Sequence, residues 1–140
     1  MGNSISLNKI NFEDMQGVIT NKNALIINTL CSSNQNCLIK GTVTAENESK
    51  IINEQLQLRN MKILIIIYGK NCSDNTVITK YQQLLKLGFT NIYVYPGGLF
   101  EWLCLQDIYG YDNFLTSKKE LDILKYKGNK IFGVRLIENV

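Results

Sequence analysis

The pattern of apolar and polar positions predicts four β-strands, one of which is apolar on both faces. Lys62–Tyr68 reads KILIIIY, and such an unbroken apolar run is typical of a central strand in a parallel sheet, where both faces are covered. Three other runs have the length and composition of strands, namely Ala24–Thr29, Leu38–Thr44 and Asn91–Tyr95. We therefore expect Ile63–Tyr68 to lie inside a sheet and not at its edge.

Helical patterns alternate with these strands. Val77, Tyr81 and Leu84 recur at helical spacing within Val77–Leu87, and Gly88 follows as a helix-terminating glycine. The other predicted helices are a short one capped by Asn11 and ending at Thr20, residues 45–58, Leu99–Tyr109 with Trp102 buried, and Lys118–Leu124. This alternation favours an α/β fold, with a central parallel sheet and helices on both faces.

The polar loop Gly69–Thr76 is the candidate functional segment, because ligands of parallel α/β sheets bind beyond the carboxyl ends of the strands. Backbone N–H groups at the start of the next helix favour anions, so they would stabilise a thiolate on Cys72 and make it nucleophilic. Lys70 would add to this effect, whereas Asp74 would oppose it unless its carboxylate caps the helix. The other residues of the candidate anion-binding loop are Gly69, Asn71, Ser73, Asn75 and Thr76. A plain capped strand-to-helix connection with an incidental cysteine is the alternative.

Composition excludes several classes of chemistry. The chain has 140 residues, the length of one domain, and no histidine, so it has neither Ser-His or Cys-His dyads nor histidine metal ligands. Its 4 cysteines form no CxxC pair, so we expect no metal site, and we also expect no cofactor. For the cysteines we favour free thiols over a Cys31–Cys37 disulfide. Residues 117–140 hold six basic and three acidic side chains, which accounts for the whole net charge of +3. We interpret this excess as a solvated surface and not as a nucleic-acid patch.

The polar segment 1–9 is predicted to be mobile. It begins MGNSIS, which fits the M-G-x-x-x-[ST] pattern for myristoylation of Gly2. One acyl chain alone gives only reversible membrane association. Stable binding needs a second signal, such as the basic tail lying on the same side of the protein as the acyl chain. An ordinary polar terminus is the alternative. Because no apolar secretion signal is visible, we expect a cytoplasmic protein, at the cytoplasmic face of a membrane if Gly2 is lipidated.

The stretch LGFTNIYVYPGGLFEW at residues 87–102, with the apolar strand, cysteine loop and helix before it, resembles the second half of a rhodanese domain. Upstream, ALIINT and IKGT are similar to that family's first strand and its glycine-containing second strand. The resemblance implies a rhodanese-like domain over residues 10–116, after the terminal segment 1–9. The basic tail 117–140 is then part of that domain or packed on it.

The resemblance also implies a sulfur-carrier fold, in which Cys72 takes a sulfane sulfur from a small donor anion such as thiosulfate and holds it as a persulfide. Two departures from the family pattern bear on this role. Cys72 is one residue away from the position expected by counting back from Gly88, and Asn28–Leu30 replaces the usual Asp-x-Arg after the first strand. Two hypotheses follow: a thiosulfate sulfurtransferase that uses Cys72, and an inactive rhodanese module that binds an anion or a protein partner, tethered to a membrane if Gly2 is lipidated.

Overall fold

Strands and helices alternate along residues 6–132, the part of the chain that the computed structural model describes. The elements are α1 Phe12–Val18, β1 Ala24–Asn28, β2 Thr42–Val43, α2 Ala45–Gln57, β3 Leu64–Tyr68, α3 Thr76–Lys86, β4 Ile92–Tyr95 and α4 Gly98–Tyr109. Single turns of 3-10 helix occur at Ser32–Asn34, Tyr111–Asn113 and Ile123–Tyr126. α1 begins as expected, because the Asn11 side chain accepts from the Asp14 N–H at 2.9 Å and the Asn11 N–H donates back to the Asp14 carboxylate.

The 4-stranded sheet has the order β2-β1-β3-β4, and all of its strands are parallel. β3 pairs with β1 on one side and with β4 on the other, so that Ile66 lies opposite both Ile26 and Tyr93. The interior position predicted for Ile63–Tyr68 is therefore confirmed. The carboxyl ends of β1, β3 and β4 meet at one edge of the sheet, and the loop after β3 leaves from the middle of that edge.

Alternate side chains of β3 enter two separate hydrophobic cores, one on each face of the sheet. Ile66 and Tyr68 pack on the side of α1 and α4, whereas Ile65 and Ile67 pack on the side of α2 and α3. Among the helical contributors are Met15, Trp102 and Leu103 on the first face, and Ile52, Val77, Tyr81 and Leu84 on the second. Helices cover both faces, as predicted, and the side chain of Trp102 is fully buried.

The segment Asn8–Ile10 runs parallel to β4 and pairs with it. The Ile10 N–H donates to the Val94 carbonyl at 2.9 Å, and the Val94 N–H donates to the Asn8 carbonyl at 2.8 Å. These bonds satisfy backbone groups of β4 that would otherwise lie at an open sheet edge. Asn8 and Lys9 are thus part of the paired structure, in contrast to the mobile segment expected from the sequence.

Two predicted elements differ from the structure. Within Leu38–Thr44 only Thr42–Val43 pairs with β1, because Gly41 has a φ of +87° and interrupts the extended course. The predicted helix Lys118–Leu124 is wrong, since the only helical turn there is Ile123–Tyr126. The Ser117 N–H donates to the Leu38 carbonyl at 2.8 Å, so the residue just before this segment pairs with the chain at Leu38 and does not begin a helix.

Candidate functional site

The candidate loop leaves the buried carboxyl end of β3 at Gly69 and enters α3 at Thr76. Two backbone hydrogen bonds fasten it to the first turn of α4. The Leu99 N–H donates to the Gly69 carbonyl at 3.0 Å, and the Phe100 N–H donates to the Lys70 carbonyl at 2.9 Å. The start of the loop is therefore held between the central strand and a buried helix.

Gly98 makes this close approach of α4 to the loop possible. Its φ is +67°, and a Cβ atom at this position would lie 2.7 Å from the Gly69 carbonyl oxygen and 3.0 Å from the Asn71 nitrogen. Any side chain would force the loop and the helix apart, in addition to the strain of a left-handed backbone. The position of the loop thus depends on the second glycine of the Pro-Gly-Gly turn.

The carboxylate of Asp74 lies inside the loop and takes up its donors. It accepts the Lys70 N–H at 2.9 Å, the Thr76 N–H at 3.1 Å and the Thr76 hydroxyl at 2.5 Å. Gly69 allows this, because a Cβ atom there would lie 2.6 Å from an Asp74 oxygen. Asp74 therefore occupies amide groups that an anionic ligand of the loop would need, and it also caps the start of α3.

The thiol of Cys72 is exposed. The one hydrogen-bond contact of its sulfur within residues 6–132 is with the Ser73 hydroxyl, at 4.0 Å. Cys72 lines a cleft of about 180 Å³ together with Asp74, Lys9, Val94 and Pro96. The expectation that several loop N–H groups lie within reach of the sulfur is therefore not met. The Lys70 and Thr76 amides donate to Asp74, and the Ser73 amide donates to the Asn71 side chain.

Asn71 connects the loop to a distant part of the chain. Its Nδ2 donates to the Tyr126 carbonyl at 2.9 Å, and its Oδ1 accepts the Ser73 N–H at 2.9 Å. The ring of Tyr126 is buried, with 1% of its surface exposed. The beginning of the basic tail is thus packed on the domain, next to the loop.

The remaining predicted loop residues lie at the entrance to α3. The Thr76 hydroxyl is 2.8 Å from the Thr29 hydroxyl, which links this loop to the one after β1. Ser73 and Asn75 are exposed, and the Asn75 side chain makes no capping hydrogen bond. The structure thus brings all the predicted loop residues together, with the Asp74 carboxylate on the Lys70 and Thr76 amides and the Cys72 thiol exposed.

Sequence reasoning missed the structural parts played by Asn28 and Tyr126. Asn28 ends β1 and is buried, with 3% of its surface exposed. A polar residue closing the apolar run ALIIN was a signal for a buried polar network. Nothing in the sequence pointed to Tyr126, because its contacts are with residues far away along the chain.

The other three cysteines are also free. A hydrogen bond between the Cys31 sulfur and the Ser33 hydroxyl, 3.0 Å long, lowers the pKa of the exposed Cys31 thiol. Burial raises the pKa of Cys37 and of Cys104. Cys31 and Cys37 do not form a disulfide, and in the described part of the chain no three cysteine or carboxylate side chains gather as metal ligands would.

The predicted lipidation site at Gly2 lies outside the described residues. Between residues 6 and 132, none of the helices combines the length and the apolar character that crossing a bilayer requires.

A family model described as "Rhodanese-like domain" matches residues 12–104, which is more than half of the chain. The match ends within α4, so the turn at Tyr111–Asn113 and the segment that carries Tyr126 lie beyond it. No curated protein matches the chain by sequence.

Solved structures of similar fold include two bacterial proteins of comparable size. BH2092 from Bacillus halodurans is 14% identical with a TM-score of 0.59, and the alignment covers 95% of this chain and 90% of BH2092. The Alr3790 protein from Anabaena sp. is 17% identical with a TM-score of 0.56, covering 83% of this chain and 86% of the other. EanB is 15% identical with a TM-score of 0.50, covering 69% of this chain but only 26% of EanB; its structure is a complex with ergothioneine covalently linked with a persulfide cysteine. At these identities the similarity concerns the fold.

Proposed function

Because this chain belongs to the rhodanese-like domain family, we propose that it acts as a binding module of that family, in which the loop between β3 and α3 recognises a partner and does not carry sulfur. The position of Asp74 is the observation that supports this proposal. In a sulfur carrier the loop amides stabilise a negatively charged persulfide, but here the Lys70 and Thr76 amides donate to a carboxylate of the chain itself.

The charge of Asp74 also opposes a donor anion. Thiosulfate in the loop would have to displace the carboxylate from its donors or lie beside it, and two like charges at short distance repel. The Cys72 thiol is exposed, and within residues 6–132 its sulfur has a hydrogen-bond contact with the Ser73 hydroxyl and with none of the loop amides. With the Lys70 and Thr76 amides occupied by Asp74, the loop is a preformed surface that is fixed to α4 and to Tyr126. A partner can bind on this surface.

Sulfur carriage by Cys72 is the second candidate, and the exposure of the thiol favours it. In that reaction the Cys72 thiolate attacks the sulfane sulfur of thiosulfate, the S–S bond of the donor breaks, and sulfite leaves with the bonding electrons. Cyanide then takes the terminal sulfur as thiocyanate and the thiolate is restored. EanB, which is similar in fold, has been observed with a persulfide cysteine.

A thiosulfate–cyanide assay combined with intact-mass analysis separates the two candidates. For the binding module we expect wild-type protein to form no thiocyanate above the buffer rate and to gain no sulfur in mass. We expect Asp74→Asn, which keeps the shape of the side chain and removes its charge, to bind thiosulfate more tightly than wild type does. Turnover that is lost in Cys72→Ser and retained in Cys31→Ser, Cys37→Ser and Cys104→Ser would reject the binding module and establish the sulfur carrier.

A further inference from the structure

A surface cleft of about 380 Å³ lies between the candidate loop and the segment that follows Tyr126. The loop contributes Lys70, Ser73 and Asn75 to its lining, and the later segment contributes Lys127, Asn129 and Ile131. Such a volume is within the range of about 300–1,000 Å³ that is usual for small-molecule sites. The side chains around it are mostly hydrogen-bond donors or cations.

The two walls of the cleft are held together by specific contacts. The Asn71 side chain fixes the backbone of the later segment through its 2.9 Å hydrogen bond to the Tyr126 carbonyl. The segment comes close to the loop at Gly128, where a Cβ atom would lie at an ordinary contact distance of 4.0 Å from both Asn71 Oδ1 and the Ser73 hydroxyl oxygen. The cleft is therefore a composite of the family fold and of a segment that lies beyond the family match.

Two ammonium groups line this cleft without a carboxylate partner within the described residues. The ion pairs found between residues 6 and 132 are Lys80–Glu48 and Lys125–Glu120, so neither Lys70 nor Lys127 is paired there. The acidic residue in the lining is Asp74, and its oxygens already accept hydrogen bonds from the Lys70 and Thr76 backbone and from the Thr76 hydroxyl. Asp74 repels an anion here as it does at the loop amides, but with Lys70 and Lys127 in the same lining the charged side chains of the cleft sum to +1, which favours an anion.

We propose that this cleft binds the tetrahedral oxyanion of a phosphate monoester. Lys70 and Lys127 supply the positive charge, and the Ser73 hydroxyl and the Asn129 amide supply further hydrogen bonds. The volume leaves room for the group that carries the phosphate. The inference rests on the proposed role of the loop as a recognition surface, and it names the ligand class of that surface. A phosphorylated metabolite and a phosphorylated side chain of a partner protein share this chemistry.

Binding of inorganic phosphate would fasten the two walls together and protect the later segment from proteolysis. Trypsin cleavage after Lys130, followed by mass spectrometry, measures this protection, with chloride at equal ionic strength as the reference. We expect phosphate to slow the cleavage in wild-type protein. For Lys70→Gln and for Lys127→Gln we expect phosphate affinity to fall by about tenfold or more, the usual effect of losing a charge-assisted hydrogen bond. Lys119→Gln is the matched control, because that lysine lies over the Tyr111 ring and not in the cleft.

Equal protection by chloride and phosphate, or equal loss of affinity in Lys119→Gln and in the two cleft variants, would overturn the phosphate site. A sugar phosphate and a phosphoserine peptide tested beside inorganic phosphate identify the source, since the true ligand class binds more tightly than phosphate alone. The sulfur-transfer assay is independent of this test. Absence of phosphate binding together with absence of sulfur transfer would remove the site and leave the binding module in place.

Discussion

Asn28 shows how one buried amide organises the neighbourhood of the loop. Its Nδ2 donates to the Gln35 Oε1 at 3.2 Å and to the Val43 carbonyl at 3.1 Å. Its Oδ1 accepts the Leu30 N–H at 3.0 Å and the Gln35 Nε2 at 2.8 Å. A side chain that both donates and accepts closes this network without any charge, and it thereby fixes the connection after β1 against β2.

Replacing Asn28 by alanine is expected to lower the free energy of unfolding by about 1–3 kcal/mol, because the Leu30 N–H would be left buried without a partner. Urea unfolding followed by far-UV circular dichroism measures this loss. Asn53→Ala is the control, since Asn53 is exposed in the middle of α2. We expect its effect to be near zero or slightly stabilising, because alanine is the better helix former. If the two variants were equally stable, the Asn28 network would have no part in holding the fold.

The contact between α4 and the loop determines the shape of the candidate site. α4 begins directly at Gly98, and its first N–H groups donate to carbonyls of the loop instead of to solvent. The second turn of the helix is anchored by Trp102, whose indole N–H donates to the Leu115 carbonyl at 3.1 Å. The ring of Trp102 also packs edge-on against Phe114, with 5.0 Å between the ring centroids. The loop therefore rests on an element that is itself fixed in the core.

Three glycine-to-alanine variants separate steric contact from backbone strain. In Gly98→Ala both operate, and we expect a loss of several kcal/mol in unfolding free energy with a shift of the loop. In Gly110→Ala only strain operates, because its φ is +105° and nothing lies within 4 Å of the added Cβ, so a loss of about 1–2 kcal/mol is expected. Gly17→Ala should stabilise α1 by up to about 1 kcal/mol, since Gly17 is helical with open space around it.

Thermal unfolding gives the order of stability of the three variants, and amide NMR shifts of residues 69–75 report the position of the loop. Loop shifts unchanged in Gly98→Ala would show that α4 does not hold it.

The sequence predicted the elements whose signals are local. The apolar run of β3, the capping box of α1 and the glycine after α3 identify themselves by composition and spacing. β2 and the segment after Ser117 were misjudged because their course depends on Gly41 and on pairing between Leu38 and Ser117. Such pairing joins parts of the chain that are far apart in sequence.

The same limit applies to the candidate site. The position of the loop followed from the strand before it and the helix after it. Whether Asp74 or Cys72 faces the amides depends on side-chain directions that the spacing does not determine. The closeness of Tyr126 to Asn71 depends on the path of the whole tail.

The segment beyond the family match completes the domain. Phe114 packs on Trp102, and Tyr126 joins the core on the α1 and α4 side. The Cys37 thiol donates to the Lys118 carbonyl at 3.2 Å. The basic tail is therefore in part a structural element of this domain, and only its outer side chains form a charged surface.

Tyr126→Ala is expected to lower the free energy of unfolding by about 3 kcal/mol, the usual cost of emptying a buried aromatic site. Tyr126→Phe keeps the ring and should stay close to wild type. Leu121→Ala should be neutral, because 95% of the Leu121 surface is exposed in the same segment. Urea midpoints measure stability, and hydrogen exchange of the Ser73 N–H reports whether the loop loses its support. A neutral Tyr126→Ala variant would mean that the tail only rests on the domain.

The pairing of Asn8–Ile10 with β4 has a consequence for the order in which the protein is assembled during synthesis. Residues 8–10 leave the ribosome before any strand of the sheet, yet both of their hydrogen bonds are with Val94. Neither bond can form until β4 has been made. β1 and β3 can pair while translation continues, because both precede β4 in the chain. Residues 8–10 are thus synthesised before the strands but join the sheet after its centre has formed. A contact between positions so far apart in the chain is slow to form.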